Sequence, residues 1–188
     1  MTVHVTGSPR AERAKPRKGG VKVTFNGVLW ALQAVFGFFF AGSGFGKVLM
    51  WDAALYAAAP DAVAWYAAVP QPLIVFIGAA EVLGGIGLLL PAMTRVAPAL
   101  TPLAAAGLTL TMILAAVFHI VRGELALVPA NLLLGAPTAV VAAGRWRSRP
   151  VAPASLTRPR LLGAIAVLAA VVLLTFLPTW YTMTVTQF

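Results

Sequence analysis

Long uncharged runs broken by short charged segments set the pattern of this chain. Residues 23–46, 96–121, 125–144 and 161–188 form runs of 24, 26, 20 and 28 residues with no Asp, Glu, Lys or Arg. A further stretch, 62–94, holds one charge, Glu81, and turns apolar near Leu73. About 20 apolar residues cross a bilayer as a helix, and hydrocarbon offers the backbone no hydrogen-bond partner, so each span must be helical. Five spans are predicted, at residues 28–50, 73–90, 98–121, 128–143 and 161–177. The expected fold class is an all-α integral membrane protein.

Segment 146–160 carries Pro150, Pro153 and Pro159 among its arginines and reads as a basic cytoplasmic linker. The expected architecture is therefore a four-helix transmembrane bundle over 23–145 and a fifth, appended transmembrane helix with an outer tail over 161–188. Residues 1–22, with Pro9, Pro16, Gly19 and Gly20, read as a disordered basic tail, either resting on anionic headgroups or simply setting topology. Segment 51–71 holds Trp51, Tyr56, Trp65 and Tyr66, an aromatic density that suits the membrane interface. It either anchors there or forms a lid over the bundle.

Composition narrows the classes. With 60% hydrophobic and 10% charged residues, the chain falls far below the roughly 25% charge of soluble domains. A net charge of +9 would suit nucleic acid only if spread over a folded surface. Here the charge is confined between spans, so the expected partner is the lipid bilayer, with no nucleic acid. If the N-terminus is cytoplasmic, twelve of the fourteen Lys and Arg lie inside, leaving only Lys47 and Arg122. The positive-inside rule then predicts a multi-pass protein of the cell membrane, N-terminus cytoplasmic and C-terminus outside. Cysteine is absent, which removes thiolate chemistry. No haem-ligand pair, nucleotide motif or metal cluster is present, so redox chemistry would require a cofactor or a partner.

Ionisable residues inside spans are costly and normally face protein, which makes each a functional candidate. Glu81 lies about 12 Å below the end of its span at the helical rise of 1.5 Å per residue and shares a face with Gly78, Gly84 and Gly85. On the first span Gln33, Phe36, Phe40, Ser43 and Lys47 fall on one stripe, with Gly42 and Gly46 on a neighbouring small-residue stripe. Lys47 either snorkels to the interface or turns inward to pair with Glu81. His119 ends the face of the third span, followed by Arg122 and Glu124. Asn131, with Gly135 and Thr138, marks the inward face of the fourth. The candidates for ligand binding or proton relay are thus Lys47, Glu81, His119, Arg122, Glu124, Asn131, Gln33 and Ser43. Two readings stand: a polar pocket in the outer half, or a buried network that fixes helix register.

Three stretches carry a family resemblance. WALQAVFGFFFAGSGFGKVL at 30–49, IGAAEVLGGIGLLLPAMTR at 77–95 and TMILAAVFHIVRGE at 111–124, closed by Gly144 and Arg145, resemble the DoxX-like membrane proteins. The resemblance covers about residues 30–145, and the family pattern falls on Lys47, Glu81, His119, Arg122 and Glu124. It implies a four-helix membrane bundle and an accessory or subunit of an oxidoreductase or oxidative-stress system, with a quinone-like or other small ligand in the pocket and another membrane or redox protein as partner. The fifth span and the basic tail depart from the usual form. The alternative is a non-catalytic scaffold, chaperone or binding module. A transporter, which needs discontinuous helices or repeats, has only Pro129 and Pro137 in its favour. Whether the chain is itself an enzyme, and whether it forms a homo-oligomer, stays open.

Overall fold

The structure, a computed structural model, describes residues 24–49 and 64–185, with side chains as far as Leu173. Helices run as α1 (Phe25–Leu49), α2 (Gln71–Thr94), α3 (Leu100–Val121), α4 (Val128–Ala143) and α5 (Arg158–Val185). Short turns flank them at Trp65–Ala68, Leu125–Leu127 and Gly144–Ser148. No strand occurs among the described residues. The protein is an all-α, multi-pass membrane protein: α1, α2, α3 and the stretch Leu125–Ser148 that contains α4 are each long and apolar enough to cross a bilayer. The basic tail, Trp51 and Tyr56 lie outside the described residues, and the expected outer C-terminal tail is instead helical as far as Val185, where α5 ends.

Local chemistry sets the helix ends. The Thr24 hydroxyl accepts the Gly27 N–H at 3.1 Å, satisfying one of the donors that the first turn leaves without a partner. Pro72 sits in the first turn of α2, where a missing N–H costs nothing. The Leu-Pro sequence predicts an end to α2 at Leu90, yet the helix continues through Pro91 to Thr94. Proline removes one backbone donor; in the last turn the Thr94 hydroxyl donates to Leu90 O at 2.7 Å and the Arg95 N–H to Pro91 O at 3.0 Å. Arg95 then leaves the helix in the left-handed region, φ 61°.

Packing follows small residues, because lipid tails give helices no hydrophobic drive to associate and close van der Waals contact must supply it. A Cβ on Gly44 would collide with Gly78 O, and one on Gly85 would lie 2.5 Å from both Ala41 N and Gly37 O. The seam of α1 is therefore Gly37, Ala41, Gly44 and Lys47, while Gly46, of the neighbouring Gly42 and Gly46 stripe, has open space around it. Between α3 and α4, Met112 packs on Gly135 and the Thr109 and Thr138 hydroxyls meet at 2.9 Å. Pro137 leaves α4 unbroken, so the discontinuous helix that would favour a transporter is not seen there. The core joins Leu29, Phe40, Leu88, Ala105, Leu108, Met112 and Val141, while α5 packs against α1 and α2. Outward positions such as Leu83, Leu133 and Val121 are apolar and exposed, as a hydrocarbon surround requires.

Two polar clusters at opposite ends of the bundle

The helices form two close pairs, α1 with α2 and α3 with α4. A cavity of about 510 Å³ opens between the pairs at the end where α1 finishes, within the range of roughly 300–1,000 Å³ usual for small-molecule sites. Lys47 and Ser43 from α1, Glu81 from α2, His119 from α3 and Asn131 from α4 all line it. Its other walls are largely apolar, among them Phe40, Phe76, Met112 and Leu134, with Trp65 and Tyr66 from the preceding turn.

Lys47 turns inward. Its Nζ donates to Glu81 Oε2 at 2.6 Å and to Ser43 Oγ at 2.7 Å, with both charged side chains under 10% exposed. An ammonium has three donors, so one N–H remains beyond these two. The pair can form because the Gly44–Gly78 contact brings the backbones together one turn away from each charge. Tyr66 stands over this pair, its ring centroid 5.9 Å from Lys47 Nζ. Burial, and secondarily the Glu81 carboxylate, push its phenol well above the ordinary 10.0, so Tyr66 stays protonated.

His119 links the cavity to the rim. Its Nδ1 lies 2.7 Å from Glu124 Oε2, and the carboxylate as acceptor places the proton on Nδ1. Arg122 Nε donates to Glu124 Oε1 at 2.8 Å. The hydrogen bond from His119, followed by the bond and charge of Arg122, lowers the Glu124 carboxyl below its ordinary 4.5. Glu124 and Arg122 line a second recess of about 410 Å³, which shares Trp65 and Leu127 with the first cavity. Trp65 stands edge-on to the His119 ring, centroids 5.6 Å apart, and packs on Phe118 at the same distance. It thus partitions the two spaces. Asn131 lines the main cavity and donates to Leu127 O at 3.0 Å.

Gln33 does not join this group. Although it shares a stripe with Lys47, fourteen residues of helix separate them, about 21 Å of rise, and stripe periodicity carries no depth. Gln33 is fully buried near the opposite end, where Nε2 donates to Leu88 O at 2.7 Å and Oε1 accepts Arg145 Nε at 2.6 Å.

Arg145 is the residue that charge counting misses. Grouped by sequence with the arginines that orient the chain, it is instead 3% exposed. Its Nη1 donates to Asn26 Oδ1 at 2.8 Å and Arg149 O at 3.2 Å, and its guanidinium lies 4.9 Å from the Trp30 ring centroid. A π-type turn, closed by the Arg149 N–H on Gly144 O at 2.7 Å, carries the guanidinium inward. Gly144 permits this, since a Cβ there would lie 2.7 Å from Leu29. The adjacent Gly-Arg was the available signal. Among the described residues both carboxylates, Glu81 and Glu124, sit at the Lys47 end, so Arg145 is held by neutral acceptors. No group of three His, Asp or Glu that could hold a metal ion occurs among the described residues.

Residues 31–141 match the model of the DoxX-like family. No curated protein and no solved structure matches the chain.

Proposed function

The chain belongs to the DoxX-like family, and from that premise we propose that it serves as an accessory or subunit of a membrane oxidoreductase or oxidative-stress system, its cavity receiving a quinone-like head. One observation carries the reading: a single cavity gathers Lys47, Glu81, His119 and Asn131 from four helices. The donor chemistry suits such a ligand. Quinone oxygens accept hydrogen bonds, Lys47 keeps an N–H beyond those given to Glu81 and Ser43, and the remaining wall is mostly apolar. When bound, a quinone supplies reversible two-electron, two-proton chemistry, with a partner protein exchanging the electrons. The chain's own residues would orient the head at Lys47 and Asn131, exclude water with Trp65, and move a proton between His119 Nδ1 and the Glu124 carboxylate at the rim. The Lys and Arg distribution supports a cell-membrane orientation with this end away from the cytoplasm.

Solvent extraction of the purified protein tests this. Quinone should be retained by the unsubstituted protein and lost from Glu81→Gln and from Asn131→Leu, the latter leaving the ion pair intact. Absence of quinone from the unsubstituted protein overturns the proposal.

A second reading, a scaffold, chaperone or binding module with no chemistry of its own, is favoured by the placement of Lys47 and Glu81 against each other in the tightest helix seam. On that reading the joint variant Lys47→Met with Glu81→Gln still recovers its partner, and no variant changes quinone content.

A further inference from the structure

We infer that the ligand enters this cavity sideways from the bilayer, between α2 and α3, and is therefore an amphiphile with an uncharged, ring-sized head and a hydrocarbon tail lying in that gap. The inference rests on the cavity being a ligand site and adds the route and the ligand class.

The gap follows from where small residues stand. Toward the Arg145 end α2 and α3 are in close contact: a Cβ on Gly84 would meet Leu108 at 2.5 Å, and one on Gly87 would meet Ala104 at 2.6 Å. Toward the Lys47 end the cavity is lined instead by Ala80 of α2 and Ala115 of α3, with Phe76 and Leu114 beside them. Phe76 and Leu114 are 69% and 59% exposed, more than the other exposed large apolar side chains of the lining, Phe39 at 46% and Leu73 at 45%. A side chain that lines a cavity and also faces the surround stands at its opening, and at this depth the surround is hydrocarbon. Toward the rim, Trp65 packs on Phe118 and His119.

The passage selects its occupant. Ala80, Ala115, Phe76 and Leu114 offer no hydrogen bond, so a phosphate or ammonium headgroup would lose its hydration along the way without compensation. A hydrocarbon tail loses nothing there. At the inner end, Lys47 and Glu81 neutralise each other at 2.6 Å, which leaves donors for a neutral acceptor rather than a net charge for an ion.

Two probes separate the route from the head site: a decyl-substituted benzoquinone and the same ring without its tail, each titrated against protein in lipid nanodiscs by quenching of tryptophan fluorescence. The tailed probe should bind at least tenfold more tightly. Ala80→Leu with Ala115→Leu, which fills the gap without touching a polar residue, should abolish most of that preference while leaving the tail-less ring within about twofold. Leu83→Phe, on an exposed position outside the cavity lining, should change neither. Should the double substitution fail to fold, Ala115→Leu alone carries the same expectation. Equal loss for both probes, or no loss for either, overturns the lateral route while the head site stands. Failure of both probes to bind the unsubstituted protein overturns the head site and the inference together.

Discussion

Replacing Glu81 by Gln strands the Lys47 ammonium in a site under 10% exposed, and replacing Lys47 by Met strands the carboxylate. Breaking a buried pair from one side costs about 3–5 kcal/mol, whereas replacing both partners is often near neutral. Thermal unfolding in detergent should therefore show both single variants strongly destabilised and the double variant largely recovered. Equal behaviour of all three would show that the pair does not act as a unit. At the rim the sign runs with acid. The Glu124 carboxyl is held below 4.5 by His119 and Arg122, so its stabilising contribution is present above that ordinary value and is lost as pH falls through the lowered one. Glu124→Gln should unfold earlier than the unsubstituted protein at neutral pH, and the difference between them should close on acidification below 4.5. These residues were legible in sequence because a charge inside an apolar run is conspicuous. Arg145 was not, because an arginine at the end of a span reads as a topology signal, and nothing in the one-dimensional pattern announces the π-type turn that buries it.

At the scale of the element, hydrophobic run length located the four helices able to cross a bilayer, and the observed boundaries of α3 and α4 lie within two residues of expectation. At the ends of α2 and α5 it fell short, since the helices run on to Thr94 and Val185. The choice of seam was likewise invisible, since Gly42 and Gly46 repeat as regularly as Gly37, Ala41 and Gly44, and only the partner helix distinguishes them. That distinction is testable. Gly44→Ala places a methyl against the Gly78 carbonyl, backbone that cannot swing aside, and should cost about 1–3 kcal/mol as overpacking despite alanine's better helix propensity. Gly46→Ala, with open space around it, should be neutral or slightly stabilising. Comparable losses at both positions in detergent unfolding would contradict the assigned seam.

Across the whole molecule the two polar clusters differ in kind. One lines a cavity; the other ties the end of α4 to the start of α1 through Arg145, Gln33 and Asn26. Arg145→Lys keeps the charge but loses the planar fork that serves Gln33 and Asn26 together, and leaving Gln33 short of a partner should cost about 1–3 kcal/mol. Unfolding of this variant should begin at lower temperature although the Lys47–Glu81 pair is untouched. The Arg145 cluster also bears on how the cavity behaves. The two helix pairs meet by Gly144 on Leu29 at the Arg145 end and by Gly84 on Leu108 near mid-bundle, and the cavity lies between them toward the other end. The width available to a bound head is thus set by how far the two pairs diverge beyond the Gly84–Leu108 contact, and not by the α1–α2 seam.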